Sequence, residues 1–144
     1  MDTVITPLKG GFAIKSNDGR YLKVIGEGLA FRDQIYDSSA KFTTERTSNQ
    51  QNVLKGNNGK YVRIYETNKF DIKCDAKDQR DALSVGSLFL ADSFVNFTIT
   101  NQASLGGRTV FMSSEVGSVS YSPSIRAKDF EDVSCRFTVS YVLS

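Results

Sequence analysis

The sequence contains no histidine and no tryptophan, and only two cysteines and two prolines among 144 residues. Histidine is the commonest general base and the usual zinc ligand, so its absence excludes histidine-dependent catalytic triads and hydrolytic zinc centres. We therefore predict that the protein is not an enzyme and has no catalytic residues, no metal site and no cofactor. Cys74 and Cys135 match no metal-binding or redox spacing and are predicted to be free thiols in the core.

The sequence also lacks a large excess of one charge and any long apolar run. The 18 basic and 16 acidic residues leave a formal net charge of +2, too small for sequence-independent attraction to nucleic acid. No window approaches the roughly 18 apolar residues of a membrane span, and the first ten residues show no secretory signal. The sequence thus predicts no nucleic-acid partner, no membrane span, and a cytoplasmic or nucleocytoplasmic location.

Apolar and polar residues alternate with a period of two through most of the chain, which is typical of half-buried β-strands. The turn sequences Asn17-Asp18-Gly19 and Asn57-Asn58-Gly59 interrupt this alternation and predict tight hairpins. Only 78–83 and 126–130 have helical character, each enough for one turn. Examples of the alternation are Leu22/Val24, Val62/Ile64, Val110/Met112 and Cys135/Phe137/Val139.

An internal repeat organises these strands. The segment Lys15-Ser-Asn-Asp-Gly-Arg-Tyr-Leu-Lys-Val24 recurs about 40 positions later as Lys55-Gly-Asn-Asn-Gly-Lys-Tyr-Val-Arg-Ile64, and Gly107-Arg-Thr-Val-Phe-Met112 is a weaker third copy. Because no unit can bury its apolar face alone, we expect the units to close around a pseudo-threefold axis. The predicted fold is all-β: a β-trefoil of twelve strands in one domain spanning 1–144, with repeats at about 10–50, 51–93 and 94–144. The alternatives are a three-bladed propeller and an open sandwich.

The runs Phe12-Ala-Ile-Lys-Ser-Asn-Asp-Gly-Arg-Tyr-Leu-Lys23 and Leu54-Lys-Gly-Asn-Asn-Gly-Lys-Tyr-Val62 resemble the agglutinin domain of amaranthin-type plant lectins. They are also similar to the fascin repeat, which is related in fold. The resemblance implies a carbohydrate-binding protein without enzymatic activity, with galactose- and N-acetylgalactosamine-type glycans as ligands and homo-oligomers as the source of multivalency. A single trefoil without tryptophan departs from the family pattern, in which a chain carries two trefoils.

Eight residues of the two clear hairpins are the predicted glycan-binding set. Sugars stack their C–H faces on aromatic rings and form hydrogen bonds with amide and charged groups, and both hairpins combine these groups. The alternative is structural: the two tyrosines pack at the rim of the barrel, and the Asn and Asp side chains stabilise the turns. The predicted set is Asn17, Asp18, Arg20, Tyr21, Asn57, Asn58, Lys60 and Tyr61.

A protein-binding trefoil is the second function class, either a protease inhibitor or a fascin-like actin-binding protein. The segment Ser120-Tyr-Ser-Pro-Ser124 is the candidate inhibitory loop, because its proline restricts the backbone. An enzyme that relies on carboxylates such as Asp78 and Asp81 is the third class. The alternating charges from Asp71 to Asp81 are predicted to form a solvated surface.

Overall fold

The computed structural model describes residues 11–48, 50–65, 70–90, 95–99, 108–116 and 123–141. Within these ranges the chain forms twelve strands, one helical turn named α1 (Gln79–Ala82), and the 3₁₀ helices Ser38–Ala40 and Val133–Cys135. The strands are β1 (Phe12–Ser16), β2 (Leu22–Ile25), β3 (Gly28–Phe31), β4 (Thr43–Arg46), β5 (Asn52–Lys55), β6 (Tyr61–Ile64), β7 (Asp71–Ala76), β8 (Gly86–Leu90), β9 (Val95–Ile99), β10 (Arg108–Val116), β11 (Ile125–Lys128) and β12 (Phe137–Tyr141).

Two kinds of strand pair each occur three times along the chain. Strands β2 and β3, β6 and β7, and β10 and β11 pair with each other. Strand β1 pairs with β12, β4 with β5, and β8 with β9. Every one of these pairings is antiparallel, so the predicted all-β class is confirmed.

The core consists of the inward-facing residues of these strands. The predicted inward pairs Leu22/Val24, Val62/Ile64 and Val110/Met112 are all buried. Phe31 stacks on Phe137 with ring centroids 5.3 Å apart, which joins β3 to β12. Each Å² of apolar surface that this core removes from water stabilises the folded state by about 25 cal/mol. The largest fully buried side chains are Phe12, Ile14, Leu22, Leu29, Phe42, Leu54, Ile64, Ile72 and Met112.

Both predicted tight turns are present. The amide of Gly19 donates to the Ser16 carbonyl at 2.9 Å, and that of Gly59 donates to the Gly56 carbonyl at 3.1 Å. Gly19 and Gly59 have φ of +89° and +81°, a region in which glycine has no steric penalty. The asparagines and the aspartate of these turns do not have a positive φ, so the glycine is the left-handed residue in each turn.

The helical turns differ in part from the prediction. A turn forms at α1 as expected, but 126–130 is not helical, because Ile125–Lys128 is strand β11. The other two turns, both unpredicted, are the 3₁₀ helices. Each of the three begins after an aspartate whose carboxylate accepts a backbone N–H, and these caps are Asp37, Asp78 and Asp132. Cys135 ends a 3₁₀ helix rather than lying in a strand, but it is buried as predicted.

Candidate functional site

The first predicted hairpin holds Asp18 and Arg20 against each other. The Arg20 Nε lies 2.8 Å from the Asp18 Oδ2, and the Arg20 Nη1 donates to the Phe31 carbonyl at 3.0 Å. A hydrogen bond from the Ser16 hydroxyl to the Asp18 carboxylate holds the pKa of Asp18 below its usual value. Asn17 is exposed beside them. Asp18 and Arg20 therefore stabilise the turn between β1 and β2.

Tyr21 belongs to a small aromatic group next to this turn. Its ring meets Tyr36 edge to face, with centroids 5.8 Å apart, and the Lys15 Nζ lies 5.4 Å from its centroid. Tyr21 is half-buried, whereas Tyr36 is exposed. The structure thus brings Asn17, Asp18, Arg20 and Tyr21 together around one turn, with Tyr36 as a neighbour that the sequence analysis missed.

In the second hairpin, Asn58 and Lys60 contact the turn between β2 and β3. The Asn58 Nδ2 donates to the Gly26 carbonyl at 2.8 Å and to the Cys74 carbonyl at 3.0 Å. The Lys60 Nζ lies 3.2 Å from the Glu27 Oε2. The amide of Asn58 thus connects three segments of the chain, while Asn57 is exposed.

Tyr61 occupies a different environment from Tyr21. Its hydroxyl donates to the Glu45 Oε1 at 2.8 Å, and its ring packs against Val53, Ala76 and Ala82. Burial, together with this hydrogen bond, raises the pKa of the Tyr61 hydroxyl. The ring and the hydroxyl are therefore both engaged within the protein. Of the four predicted residues of the second hairpin, Asn58 and Lys60 therefore contact the β2–β3 turn and Tyr61 contacts Glu45.

Among the residues that the structure describes, a basic residue is flanked by two carboxylates at three positions. The Lys23 Nζ lies 2.9 Å from Asp33 and 3.1 Å from Asp37. The Lys128 Nζ lies 2.6 Å from Glu115 and 2.7 Å from Asp132. Arg63 is the third such residue, with Asp75 and Asp81 as its partners.

Two charged residues are buried, contrary to the pattern expected from the sequence. Lys23, the polar residue between Leu22 and Val24 in the alternating pattern, is 6% exposed because Asp33 and Asp37 compensate its charge. Asp71, expected on a solvated surface, is 4% exposed, because it begins strand β7 and lies opposite Arg126 of β11. A sequence signal for part of the ion pairing does exist: Asp37-Ser-Ser-Ala-Lys-Phe42 and Asp132-Val-Ser-Cys-Arg-Phe137 share a pattern.

The ion pair of Lys128 with Asp132 should make the stability of the protein depend on pH. A hydrogen bond from Lys128, and to a smaller extent one from the Ser134 hydroxyl, lower the pKa of Asp132 from 3.8 to about 2. Because this pKa is lower in the folded state, the stabilisation is complete above pH 3.8 and is lost as the pH falls towards 2. Asp132→Asn keeps a good helix cap but removes the charge, so we expect a smaller loss of stability between pH 4 and pH 2. Urea unfolding at several pH values, followed by circular dichroism, measures this.

Asp78→Asn is the matched control for this experiment. Asp78 caps α1 as Asp132 caps its 3₁₀ helix, but Asp78 has no ion-pair partner among the described residues. We expect this variant to keep the wild-type pH dependence. An equal change in both variants would show that the cap, and not the ion pair with Lys128, causes the pH effect.

A groove of about 330 Å³ lies beside the Lys128 cluster. The Phe130 side chain at this groove is 58% exposed, and the Lys128 Nζ lies 5.2 Å from the centroid of its ring. The Arg126 Nε is buried and has no hydrogen-bond partner among the described residues. The groove therefore combines an accessible aromatic ring with charges of both signs. Its side chains include Phe70, Glu115, Arg126, Lys128, Asp129 and Phe130.

Phe70, on the wall of this groove, has a strained backbone. Its φ is +62°, in the left-handed region, where a residue with a Cβ is disfavoured by roughly 1–2 kcal/mol. Its carbonyl accepts the Ala127 amide at 3.0 Å, and its ring packs on the core. Strain held by packing in this way clusters at binding sites. Sequence analysis missed this groove, although an aromatic between charges in Lys128-Asp-Phe-Glu-Asp132 was a usable signal.

Several predicted features lie elsewhere or outside the described residues. Cys74 and Cys135 are free and buried, and burial raises the pKa of Cys74 to about 12, so neither is an activated thiolate. Residues 120–122 of the candidate inhibitory loop lie outside the described ranges.

In the part of the chain that is described, no three histidine, cysteine, aspartate or glutamate side chains could hold a metal ion together. No helix there has the length and apolar character needed to cross a membrane.

Comparison with known proteins shows a similarity of fold. No protein-family model and no curated protein matches the sequence. Among solved structures, the chain is similar to a GlcNAcα1-4Gal-releasing endo-β-galactosidase from Clostridium perfringens, with a TM-score of 0.60 and 17% sequence identity. The similarity covers 92% of this chain and 32% of that enzyme, so the chain spans about a third of the enzyme's length. At this identity the likeness concerns the fold alone.

Proposed function

We propose that the protein is a lectin and that the groove beside Phe130 binds a sugar residue. The observation that carries this proposal is the exposed Phe130 ring at a groove that also presents Glu115, Arg126 and Asp129. A sugar stacks its apolar C–H face on such a ring and uses its hydroxyls to bind charged side chains. Phenylalanine here takes the role that tryptophan, absent from this sequence, often has.

Galactose- and N-acetylgalactosamine-type glycans are the proposed ligand class. The resemblance to amaranthin-type agglutinins supports this class, and so does the name of the enzyme of similar fold, which releases GlcNAcα1-4Gal. We carry over the ligand class and not the catalysis. The likeness to that enzyme concerns the fold alone and covers 32% of its length, so it gives no ground for proposing cleavage.

The proposed fold behind this function is a β-trefoil of the amaranthin agglutinin type. Three hairpins (β2–β3, β6–β7 and β10–β11) and three pairs that join distant or successive units (β1–β12, β4–β5 and β8–β9) support a threefold arrangement. Edge strands that pair in this way close the sheet on itself. With few sites on each chain, homo-oligomers would supply the avidity that glycan binding requires.

Screening on a glycan array tests the proposal, and Phe130→Ala locates the site. We expect the wild-type protein to bind galactose- or N-acetylgalactosamine-type glycans, and Phe130→Ala to weaken that binding at least tenfold, because the stacking surface is removed. Val133→Ala is the matched control, since Val133 is 65% exposed nearby but does not line the groove. No binding to any glycan at high protein concentration would overturn the proposal.

The predicted hairpin residues form a competing site within the same proposal. Tyr21→Ala removes the ring that faces Tyr36, and Tyr61→Phe removes only the hydroxyl that binds Glu45. If glycan affinity falls in these variants and not in Phe130→Ala, the hairpins bind the ligand and the groove does not. A protease panel and actin co-sedimentation test the protein-binding alternative.

A further inference from the structure

A second groove, of about 480 Å³, lies between the β4–β5 turn and α1. Its volume falls in the range of roughly 300–1,000 Å³ that is usual for small-molecule sites. Hydroxyl, amide and guanidinium side chains line it, among them Thr47, Gln51, Gln79 and Arg80. Leu83 also lines it, but none of the described residues that line it is aromatic, in contrast to the groove beside Phe130. Hydrogen bonds and charge are therefore the specific contacts that these residues offer a ligand.

Local hydrogen bonds fix both walls of this polar groove. On one side, the Thr47 amide donates to the Gln51 carbonyl at 2.8 Å, and the Gln51 amide donates to the Thr47 Oγ1 at 3.1 Å. Gln50, between them in sequence, has a left-handed φ of +66°. On the other side, the Gln79 Nε2 donates to the Glu45 Oε1 at 2.9 Å. Polar groups fixed in advance lose little conformational entropy when a ligand binds.

Arg80 is the charged side chain among the described residues that line this groove, and the nearby Glu45 carboxylate is already bound within the protein. The Glu45 carboxylate accepts hydrogen bonds from Tyr61 and Gln79 and lies 3.8 Å from the Lys55 Nζ. Arg80 is exposed and has no ion-pair partner among the described residues. A guanidinium group binds carboxylate and sulfate oxygens in a bidentate manner. The groove is therefore suited to a polar ligand with one oxyanion.

We propose that this groove is a second binding site and that its ligand is a sugar residue carrying one carboxylate or sulfate group. Arg80 binds the oxyanion, while Gln51 and Thr47 bind ring hydroxyls. Gln79 is held in place by Glu45 and completes the wall. The proposal goes beyond neutral-glycan binding at Phe130, because it gives one chain two sites of different chemistry.

Two-dimensional NMR titration of the full ¹⁵N-labelled chain tests this site. The probes are galacturonate and galactose 6-sulfate, with neutral galactose and inorganic sulfate for comparison. We expect both acidic sugars to shift the resonances of Thr47, Gln51 and Gln79, and to bind about tenfold more tightly than either comparison probe. Arg80→Gln should weaken the binding of the acidic sugars about tenfold. Lys77→Gln, exposed on the same segment but outside the groove, should change it less than twofold.

Each contrary outcome has a distinct meaning. Equal weakening by Arg80→Gln and Lys77→Gln would overturn the proposal in favour of diffuse charge attraction. Inorganic sulfate that binds as tightly as the acidic sugars would show an anion site without sugar recognition. Shifts confined to Ala127 and Phe130 would place the acidic sugars in the first groove. Binding of neutral galactose in the groove beside Phe130 is measured from the resonances of Ala127 and Phe130 alone. Failure of the proposal for one groove therefore leaves the test of the other groove intact.

Discussion

Replacing Gly28 by alanine is expected to lower the free energy of unfolding by about 3 kcal/mol. A Cβ at Gly28 would lie 2.1 Å from the Pro123 carbonyl oxygen and 2.6 Å from the Pro123 nitrogen. Both atoms are backbone, so no side-chain rotation relieves the overlap. The Leu29 amide, which donates to the same Pro123 carbonyl at 2.8 Å, would have to move as well. Urea unfolding followed by circular dichroism measures the loss.

Gly26→Ala provides the control within the same hairpin. No atom lies within 4 Å of a Cβ built at Gly26, but its φ of +63° is left-handed, so the cost should be about 1 kcal/mol. If both variants lose the same stability, backbone conformation rather than the contact with Pro123 decides the glycine at position 28. Retained wild-type stability in Gly28→Ala would contradict the close approach altogether.

Phe42→Ala should cost about 3–5 kcal/mol, because it leaves a cavity in a core that cannot fully collapse. The Phe42 side chain is completely buried, and its backbone exchanges two hydrogen bonds with Phe12, of 2.8 and 2.9 Å. Thermal and urea unfolding of the purified variant measure the effect. An expected corollary is reduced soluble yield, since a loss of this size is a large part of a typical domain's stability.

Urea unfolding of Phe130→Ala tests whether the Phe130 ring contributes to stability or only to ligand binding. Because Phe130 is exposed, we expect its removal to change the free energy of unfolding by less than about 0.5 kcal/mol. The two phenylalanines should therefore give opposite results, one losing the fold and the other losing the ligand. A strongly destabilised Phe130→Ala would instead mean that this ring serves packing.

The sequence predicted the strands because period-two alternation directly reflects burial. Leu22/Val24 and Val62/Ile64 alternate with polar residues, and the structure buries the apolar members. The turn glycines were equally readable, since Gly19 and Gly59 supply the left-handed residue. The 3₁₀ helices were missed because three residues show no periodicity. Only a serine two positions after the aspartate, Ser39 and Ser134, marks Asp37 and Asp132 as caps.

The binding grooves were less predictable, because they combine residues distant in sequence. The first groove takes Phe70 from just before β7, Glu115 from β10 and Phe130 from the segment after β11. No local pattern signals that these three residues meet. The hairpin motif that drew attention to Tyr61 recurs because it builds the same turn twice, and one of its aromatic rings packs inward against Val53.

The turn between β2 and β3, together with the start of β3, contacts segments that lie far away along the chain. The Gly26 carbonyl accepts the Asn58 side chain, the Glu27 carbonyl accepts the Cys74 amide at 3.0 Å, and the Leu29 amide donates to the Pro123 carbonyl. A chain connected in this way should melt in a single cooperative step. Fragments of the chain that lack one of these partner segments would then yield unfolded polypeptide.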